Sequence, residues 1–230
     1  MFERLSTLTT AHLADACIRL GVEVRCAPSG LRPLVSGMRV AGRARPVRHV
    51  GSVDVFLEAI SENCAGDVLV VDNGGRLDES CVGDIVALEL QQAGFAGVLI
   101  WGLHRDTADL EQIGLPLFSL GAIPAGPRRL DPRPADAMTT ARIGSVVATT
   151  MDLVVADEDG AIFFPLDRMT DIILLAEKVR DRERGQAARM REGESFRAQV
   201  GFRGYLARRA AEPDFGFRAH LRAVGGAVEE

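Results

Sequence analysis

The stretch GDVLVVDNGGRLDESCVGDIVALELQQAGFAGVLIWGLHRD, residues 66–106, reads as strand, glycine turn, helix, strand, and a turn carrying Arg105 and Asp106. Val68, Leu69, Val70 and Val71 form one apolar run, and residues 96–102 (AGVLIWG) form a second. Continuous apolar runs closed by glycines suit strands buried on both faces, as in a parallel sheet. Between them Ile85, Val86, Leu88 and Leu90 recur at helical spacing, with Gly94 as the stop. A β-α-β crossover is right-handed almost without exception, so both strands run the same way and end on one edge of the sheet. That edge is where open α/β sheets bind ligands. Gly83-Asp84 precedes the helix and Arg105-Asp106 follows the second strand, so this topology predicts one rim shared by Asp84, Arg105 and Asp106.

Working outward, residues 8–20 predict an amphipathic helix with Thr9 or Thr10 near its start and Gly21 at its end. Residues 38–50 predict a half-exposed strand broken at Pro46, and residues 54–65 a helix stopped by Gly66. After Asp106, TADLEQIG predicts a short helix with Thr107 as N-cap, and residues 115–122 a further strand. The run PAGPRRLDPRP, residues 124–134, reads as a stiff surface loop. Residues 141–165 hold two or three strands, with ADEDG (156–160) as a solvated hairpin tip; it lacks the closing glutamate of an EF-hand loop. From Leu166 the chain becomes charged and helical: residues 166–194 predict one long helix, and residues 202–230 two short ones split at Pro213. Such a tail is expected to have no core of its own and to lie on the main domain or on a neighbouring subunit. The expected organisation is one α/β domain, 1–165, with a helical C-terminal extension, 166–230.

Composition narrows the chemistry. With 47% apolar and 26% charged residues, 230 residues can bury a real core. A net charge of −5 argues against a nucleic-acid binder, and no apolar stretch approaches the roughly 20 residues of a membrane span. The N-terminus carries charge early and lacks a signal-peptide h-region, so a cytoplasmic address is expected. Cys17, Cys26, Cys64 and Cys81 show no CxxC spacing, and His12, His49, His104 and His220 are dispersed, so no zinc or disulfide framework is indicated. Cys81 beside Gly83-Asp84 invites a nucleophile reading, which the plainer one, a small half-buried thiol, outweighs. Lys178 is the only lysine, set among Glu177, Arg180 and Asp181. An exposed, ion-paired amine is a poor Schiff-base nucleophile, so imine chemistry is not expected.

The rim supports another route. Arginine offers a planar fork for a carboxylate, and Asp106 suits a hard cation that keeps its waters, Mg2+ or Mn2+. The helix start at Gly83, Asp84, Ile85 and Val86 supplies free amides that attract anionic oxygens, and Asp84 can place a water for proton transfer. Together these groups fit a 2-oxo acid whose enolate is stabilised as it forms. For an Arg-Asp pair alone, a pair of solvated turn residues is the default reading. Its place after a buried strand, opposite a glycine-acid pair, favours function.

At this point the sequence resembles the RraA-like family. The resemblance rests on the GD and RD pairs, with LADACIRLG, AGRARPVR, LPLFSLGAIPAGPRR and DLVVADEDGAIFFP around them. That family includes the 4-hydroxy-4-methyl-2-oxoglutarate aldolases and the regulator of ribonuclease E activity, and its proteins were formerly mislabelled demethylmenaquinone methyltransferases. The resemblance implies a β/β/α swivelling-type (phosphohistidine-domain-like) fold, assembled as homotrimers or hexamers. It implies a divalent-metal lyase that cleaves a 4-hydroxy-2-oxo acid to pyruvate, or decarboxylates oxaloacetate, through a metal-stabilised pyruvate enolate. Carried over by position, the amides of Gly83, Asp84, Ile85 and Val86 bind substrate, Arg105 holds it, Asp106 binds the metal and Asp84 the water. In the bacterial aldolases a glutamate from a neighbouring subunit completes the site; Glu183 is the candidate here, with Glu177 and Glu192 as alternatives. The tail does not resemble the aldolase tail, which implies a separate subgroup. The alternative reading is a protein-binding regulator of ribonuclease activity with no catalytic role, to which the arginine-rich helix 180–191 could contribute; its interspersed acids read instead as a solvated face.

Overall fold

The computed structural model describes residues 2–60 and 63–225, in two compact units, Met1–Ile173 and Leu174–Glu230. The first opens with α1 (Phe2–Leu5) and α2 (Thr10–Arg19) and then β1 (Arg25–Cys26), β2 (Arg32–Pro33), β3 (Val40–Arg48), α3 (Asp54–Ala59), β4 (Val68–Asp72) and β5 (Ser80–Val82). It continues with α4 (Asp84–Gln92), β6 (Gly97–Trp101), β7 (Leu103–His104), α5 (Thr107–Ile113), β8 (Leu117–Ser119), β9 (Thr140–Ile143), β10 (Val146–Thr149), β11 (Asp152–Asp157) and β12 (Gly160–Pro165).

The expected crossover is present. β4 pairs in parallel with β6, Val68 opposite Gly97 through Asp72 opposite Trp101. All of β4 is buried, and its side chains alternate between two cores. Leu69 and Val71 join Phe56, Ala87, Leu90 and Leu110 of α3, α4 and α5. Val68 and Val70 join Ala141, Ile143, Val146 and Ala148 of the β9–β10 ribbon. One face of the sheet is therefore covered by helices and the other by a β-ribbon. The sheet itself is mixed, in the order β1-β12-β11-β3-β4-β6-β8-β2: β3, β4, β6 and β8 are parallel, and antiparallel strands flank them.

Several expectations need correction. β3 runs unbroken through Pro46. β11 pairs only with residues 40–43 of β3, and β4 pairs with residues 44–48. Pro46 thus lies where one side of the strand is unpaired, and its missing N–H breaks no ladder there. In α4 the buried residues are Ala87 and Leu90, whereas Ile85 is 73% exposed and Leu88 40%; four apolar residues wrap more of the helix than one stripe on the sheet can cover. The helix expected over 54–65 closes at Ala59, and Ser61 and Glu62 lie outside the described residues. The 156–160 turn is not simply solvated. Asp157 is 5% exposed and accepts from the Thr10 amide and hydroxyl at 2.8 and 2.7 Å, pinning α2 to the β11–β12 hairpin. Thr9 does cap α2, exchanging hydrogen bonds with His12 as a capping box.

The chain enters the second unit along α6 (Met169–Arg191), followed by α7 (Phe196–Gln199), α8 (Phe202–Ala211) and α9 (Phe217–Val224). The break near Pro213 is as expected, while α7 was not foreseen. The tail also has a nucleus of its own. Tyr205 meets Phe217 edge-on at 4.9 Å and His220 at 5.6 Å, Phe202 meets Phe217 at 5.7 Å, and His220 Nε2 lies 2.8 Å from the Val200 carbonyl. Aromatic pairs of this kind contribute about 1 kcal/mol each beyond burial. The last residues of the expected tail, 226–230, lie outside the described residues.

Candidate active site

A two-stranded ribbon assembles the rim. β5 and β7 pair in parallel, Ser80 opposite Leu103 and Val82 opposite His104, and the Arg105 amide donates to the Val82 carbonyl at 3.0 Å. The residues that follow each strand, Gly83-Asp84 and Arg105-Asp106, are thereby placed side by side. The approach is so close that a Cβ on Gly83 would stand 2.4 Å from Asp106 Oδ2 and 3.2 Å from Arg105 Nε. Gly83 itself is extended (φ −130°), so glycine is required there for space rather than for backbone freedom.

Asp106 is the only non-glycine among the described residues with a positive φ, 60°. L-residues pay about 1–2 kcal/mol for that conformation, with aspartate among the most tolerant. Expected as the N-cap, Thr107 is instead the first residue of α5, and Asp106 holds the cap position without any side-chain cap bond. Its carboxylate is thus turned out of the helix, toward Arg105 Nε at 3.2 Å. The Thr107 hydroxyl lies 3.2 Å from Nε2 of buried His104, whose Nδ1 is 2.8 Å from the Ser119 hydroxyl. Burial holds the His104 pKa below the usual histidine value, so a neutral ring braces the turn.

Arg105 and Asp106 side chains are 49% and 34% exposed; a pair so open adds little to stability and remains available to a ligand. At the start of α4 the first intrahelical bond is donated by the Ala87 amide to the Gly83 carbonyl, and no side chain caps the helix. The amides of Asp84, Ile85 and Val86 are left for another acceptor. A cavity of about 280 Å³ opens at this point, lined by His49, Cys81, residues 83–86 and Arg105, with Val53, Leu57 and Pro127 as apolar wall. Cys81 is buried, and burial drives its pKa far up, so its thiol is a poor nucleophile.

Residues 124–134 form a largely exposed surface loop, as expected, from which Pro127 and Arg129 turn toward this region. Arg129 donates to Glu79 at 3.0 Å and to Asn73 Oδ1 at 2.9 Å, and Pro127 lines the cavity. His49, which motif reading had passed over as one of four scattered histidines, lies in the same wall. Of the expected site residues, Gly83, Asp84, Ile85, Val86, Arg105 and Asp106 come together. Glu183 lies exposed on α6, in the second unit. Among the described residues no group of three or more His, Cys, Asp or Glu is arranged to hold a metal.

The sequence model of the RraA-like family, described as aldolase/RraA, matches residues 10–163. The chain belongs to the RraA-like family. The match runs from the start of α2 into β12 and contains both rim pairs. Solved structures of similar fold agree. RraAS2 of Streptomyces coelicolor, described as an unusual member of the RNase ES inhibitor RraA protein family, is 28% identical, with TM-score 0.69 over 82% of this chain and 96% of that one. The RNA-processing inhibitor RraA of Thermus thermophilis is 28% identical, with TM-score 0.57 over 66% and 90%. An uncharacterized protein of Pseudomonas syringae pv. tomato is 26% identical, with TM-score 0.71 over 84% and 92%. RraA-like proteins include both lyases and ribonuclease inhibitors, so membership leaves the activity to be argued from the rim.

Proposed function

We propose that this RraA-like chain is a divalent-metal-dependent lyase that releases pyruvate from a 2-oxo acid, by cleaving a 4-hydroxy-2-oxo acid, by decarboxylating oxaloacetate, or both. The observation that carries this reading is the Gly83 cradle, where a single methyl group would collide with the carboxylate of Asp106. Together with the left-handed backbone of Asp106, it holds the Asp106 carboxylate against Gly83 and Arg105, two residues that line the cavity with the unused amides of Asp84, Ile85 and Val86.

The donor set fits Mg2+ or Mn2+. Asp106 offers one hard oxygen ligand, with no group of three or more His, Cys, Asp or Glu around it among the described residues, and such ions keep most of their waters and use one or two carboxylates. When bound at Asp106, the cation supplies positive charge against which an enolate can develop. The remaining work falls to the chain itself. Arg105 grips the substrate carboxylate through its planar fork. The amides of Asp84, Ile85 and Val86 donate to substrate oxygens and stabilise negative charge arising there. Asp84, half-buried beside them, holds a water that returns a proton to the methylene carbon. The same reading includes the swivelling-type fold, a cytoplasmic trimer or hexamer, and Glu183 of a neighbouring copy as an added carboxylate.

Pyruvate release from oxaloacetate, coupled to lactate dehydrogenase with background decay subtracted, tests the proposal directly. Turnover with Mg2+ or Mn2+ that EDTA removes is the expected result. No turnover with either metal would count against it and favour a second reading, that of a ribonuclease regulator. The names of the Streptomyces and Thermus relatives support that second reading; inhibition of a ribonuclease by the pure protein, unaffected in an Asp106→Asn variant, would establish it.

A further inference from the structure

His49 carries chemistry that the preceding reading does not use. It is 3% exposed, yet it lines the cavity shared with Asp84 and Arg105. Its ring lies flat on Phe56, with centroids 5.4 Å and planes 3° apart, so its orientation is held by packing. Nδ1 lies 2.8 Å from Asn73 Oδ1, and Arg129 Nη2 donates to that same oxygen at 2.9 Å.

This arrangement decides the tautomer. Arginine has donors only, so the atom it meets on Asn73 must be the amide oxygen. An oxygen can only accept, so His49 Nδ1 must carry the ring proton. Nε2 is then left with its lone pair, and the hydrogen bond that the ring makes is the one at Nδ1. Burial is the main force holding the pKa of His49 below the usual value, and the positive charge of Arg129 adds to it; the Asn73 hydrogen bond and the carboxylates of Glu79 and Asp54 act in the opposite direction. The ring is neutral at pH 7.

We propose that His49 Nε2 is the base that takes the hydroxyl proton of a hydroxylated 2-oxo acid, an assignment that rests on the lyase reading above. In the step, the proton on the C4 hydroxyl passes to Nε2, and the O–H electron pair becomes the second bond of a new C4 carbonyl. The C3–C4 bond breaks, and its electron pair moves to C3, giving the enolate of pyruvate. C3 then takes a proton from the water held by Asp84, and the imidazolium returns its proton to solvent. One proton is lost and one gained, so a hydroxy-oxo acid yields pyruvate and a carbonyl compound with no other reactant. Decarboxylation has no such requirement, because carbon dioxide leaves without a hydroxyl proton to remove. His49 therefore separates the two reactions, and makes a hydroxylated substrate the one for which this cavity is equipped.

The test compares 4-hydroxy-4-methyl-2-oxoglutarate with oxaloacetate, in Mg2+, for the whole protein and two variants. His49→Asn keeps an amide N–H for Asn73 and removes Nε2. Its kcat for cleavage should fall about 100- to 10,000-fold, and the ratio of cleavage to decarboxylation should fall by about 100-fold or more. His49→Gln places an acceptor that is not a base near the same point, so it should retain KM for the hydroxy acid while kcat stays low. Circular dichroism and thermal unfolding identify any variant that fails to fold, and the other variant then carries the comparison. Equal losses in both reactions, or no loss in either, would overturn the assignment. So would a wild-type protein that decarboxylates oxaloacetate yet cleaves no 4-hydroxy-2-oxo acid; that result leaves the lyase reading standing. A wild-type protein inert to both substrates removes the lyase reading and the His49 assignment together.

Discussion

Asp106 and Gly83 form a matched pair, and each predicts an outcome for the other. Adding a methyl group at Gly83 drives it against Asp106 Oδ2, so Gly83→Ala should move the carboxylate rather than unfold a chain whose backbone at that point is extended. A displacement near 1 Å at a reacting group costs about 100-fold in rate. Steady-state kinetics should show that loss beside a nearly unchanged melting curve. The converse substitution, Asp106→Gly, relieves the left-handed backbone and should stabilise the protein by about 1 kcal/mol, while titration with Mn2+ detects no specific site. Denaturation midpoints at or below wild type would mean that the turn carries no strain. At this scale the acids and the arginine were legible, because Asp84, Arg105 and Asp106 stand at the ends of recognisable elements. The reason for Gly83 was not legible, since its need for space comes from a residue 23 positions later. Nor was His49, whose importance lies in which atom its neighbours leave free.

At the scale of elements, long apolar runs announced themselves and short ones did not. β4 and β6 are buried, β-branched and bounded by glycine, and they stand where the sequence places them. β5 and β7, three and two residues long, are too short to show any period, yet they bring the rim together. Pro46 misled for a related reason: its tolerance depends on where β11 stops pairing, which no local pattern records. The turn at 156–160 was read by its charge, whereas Asp157 is an internal anchor for α2. Asp157→Ala removes both acceptor bonds to Thr10 and leaves a buried hydroxyl unpaired, at a cost of about 3 kcal/mol. Urea denaturation should register that loss, together with faster hydrogen exchange across α2. An unchanged midpoint would show that α2 is held by its apolar face alone.

For the whole molecule, pH offers a test of two of the buried histidines. His49 and His104 both have pKa values held below the ordinary 6.5 by burial. Their contribution to stability is complete above the unfolded value and is lost as pH falls from about 6.5 through their folded values, because the unfolded chain binds protons the native state refuses. Melting temperature should therefore decline between pH 7 and pH 5, and the decline should be shallower in His49→Asn. The mixed α/β class of the first unit was legible from the order of its elements. The small aromatic nucleus of the second was not, because Tyr205, Phe215, Phe217 and His220 are spaced for no single helix face and meet only when α8 and α9 fold together.

The bond between Thr10 and Asp157 joins residues 147 positions apart, and it is not alone: β1 pairs with β12, and β3 with β11. α2, β1 and residues 40–43 of β3 have their partners after residue 150, while β2 and residues 44–48 of β3 pair with β8 and β4. A chain made from its N-terminus emerges with α2, β1 and the start of β3 unable to close, so these segments must wait, unpaired, until the last hairpin is synthesised. Folding of such non-local topology is slow, because the entropy of closing long loops comes before any contact rewards it. The protein is thus committed to fold after, rather than during, most of its own synthesis. Nascent chains halted before residue 150 should be open to protease across α2 and β1, and chains released at residue 165 should not.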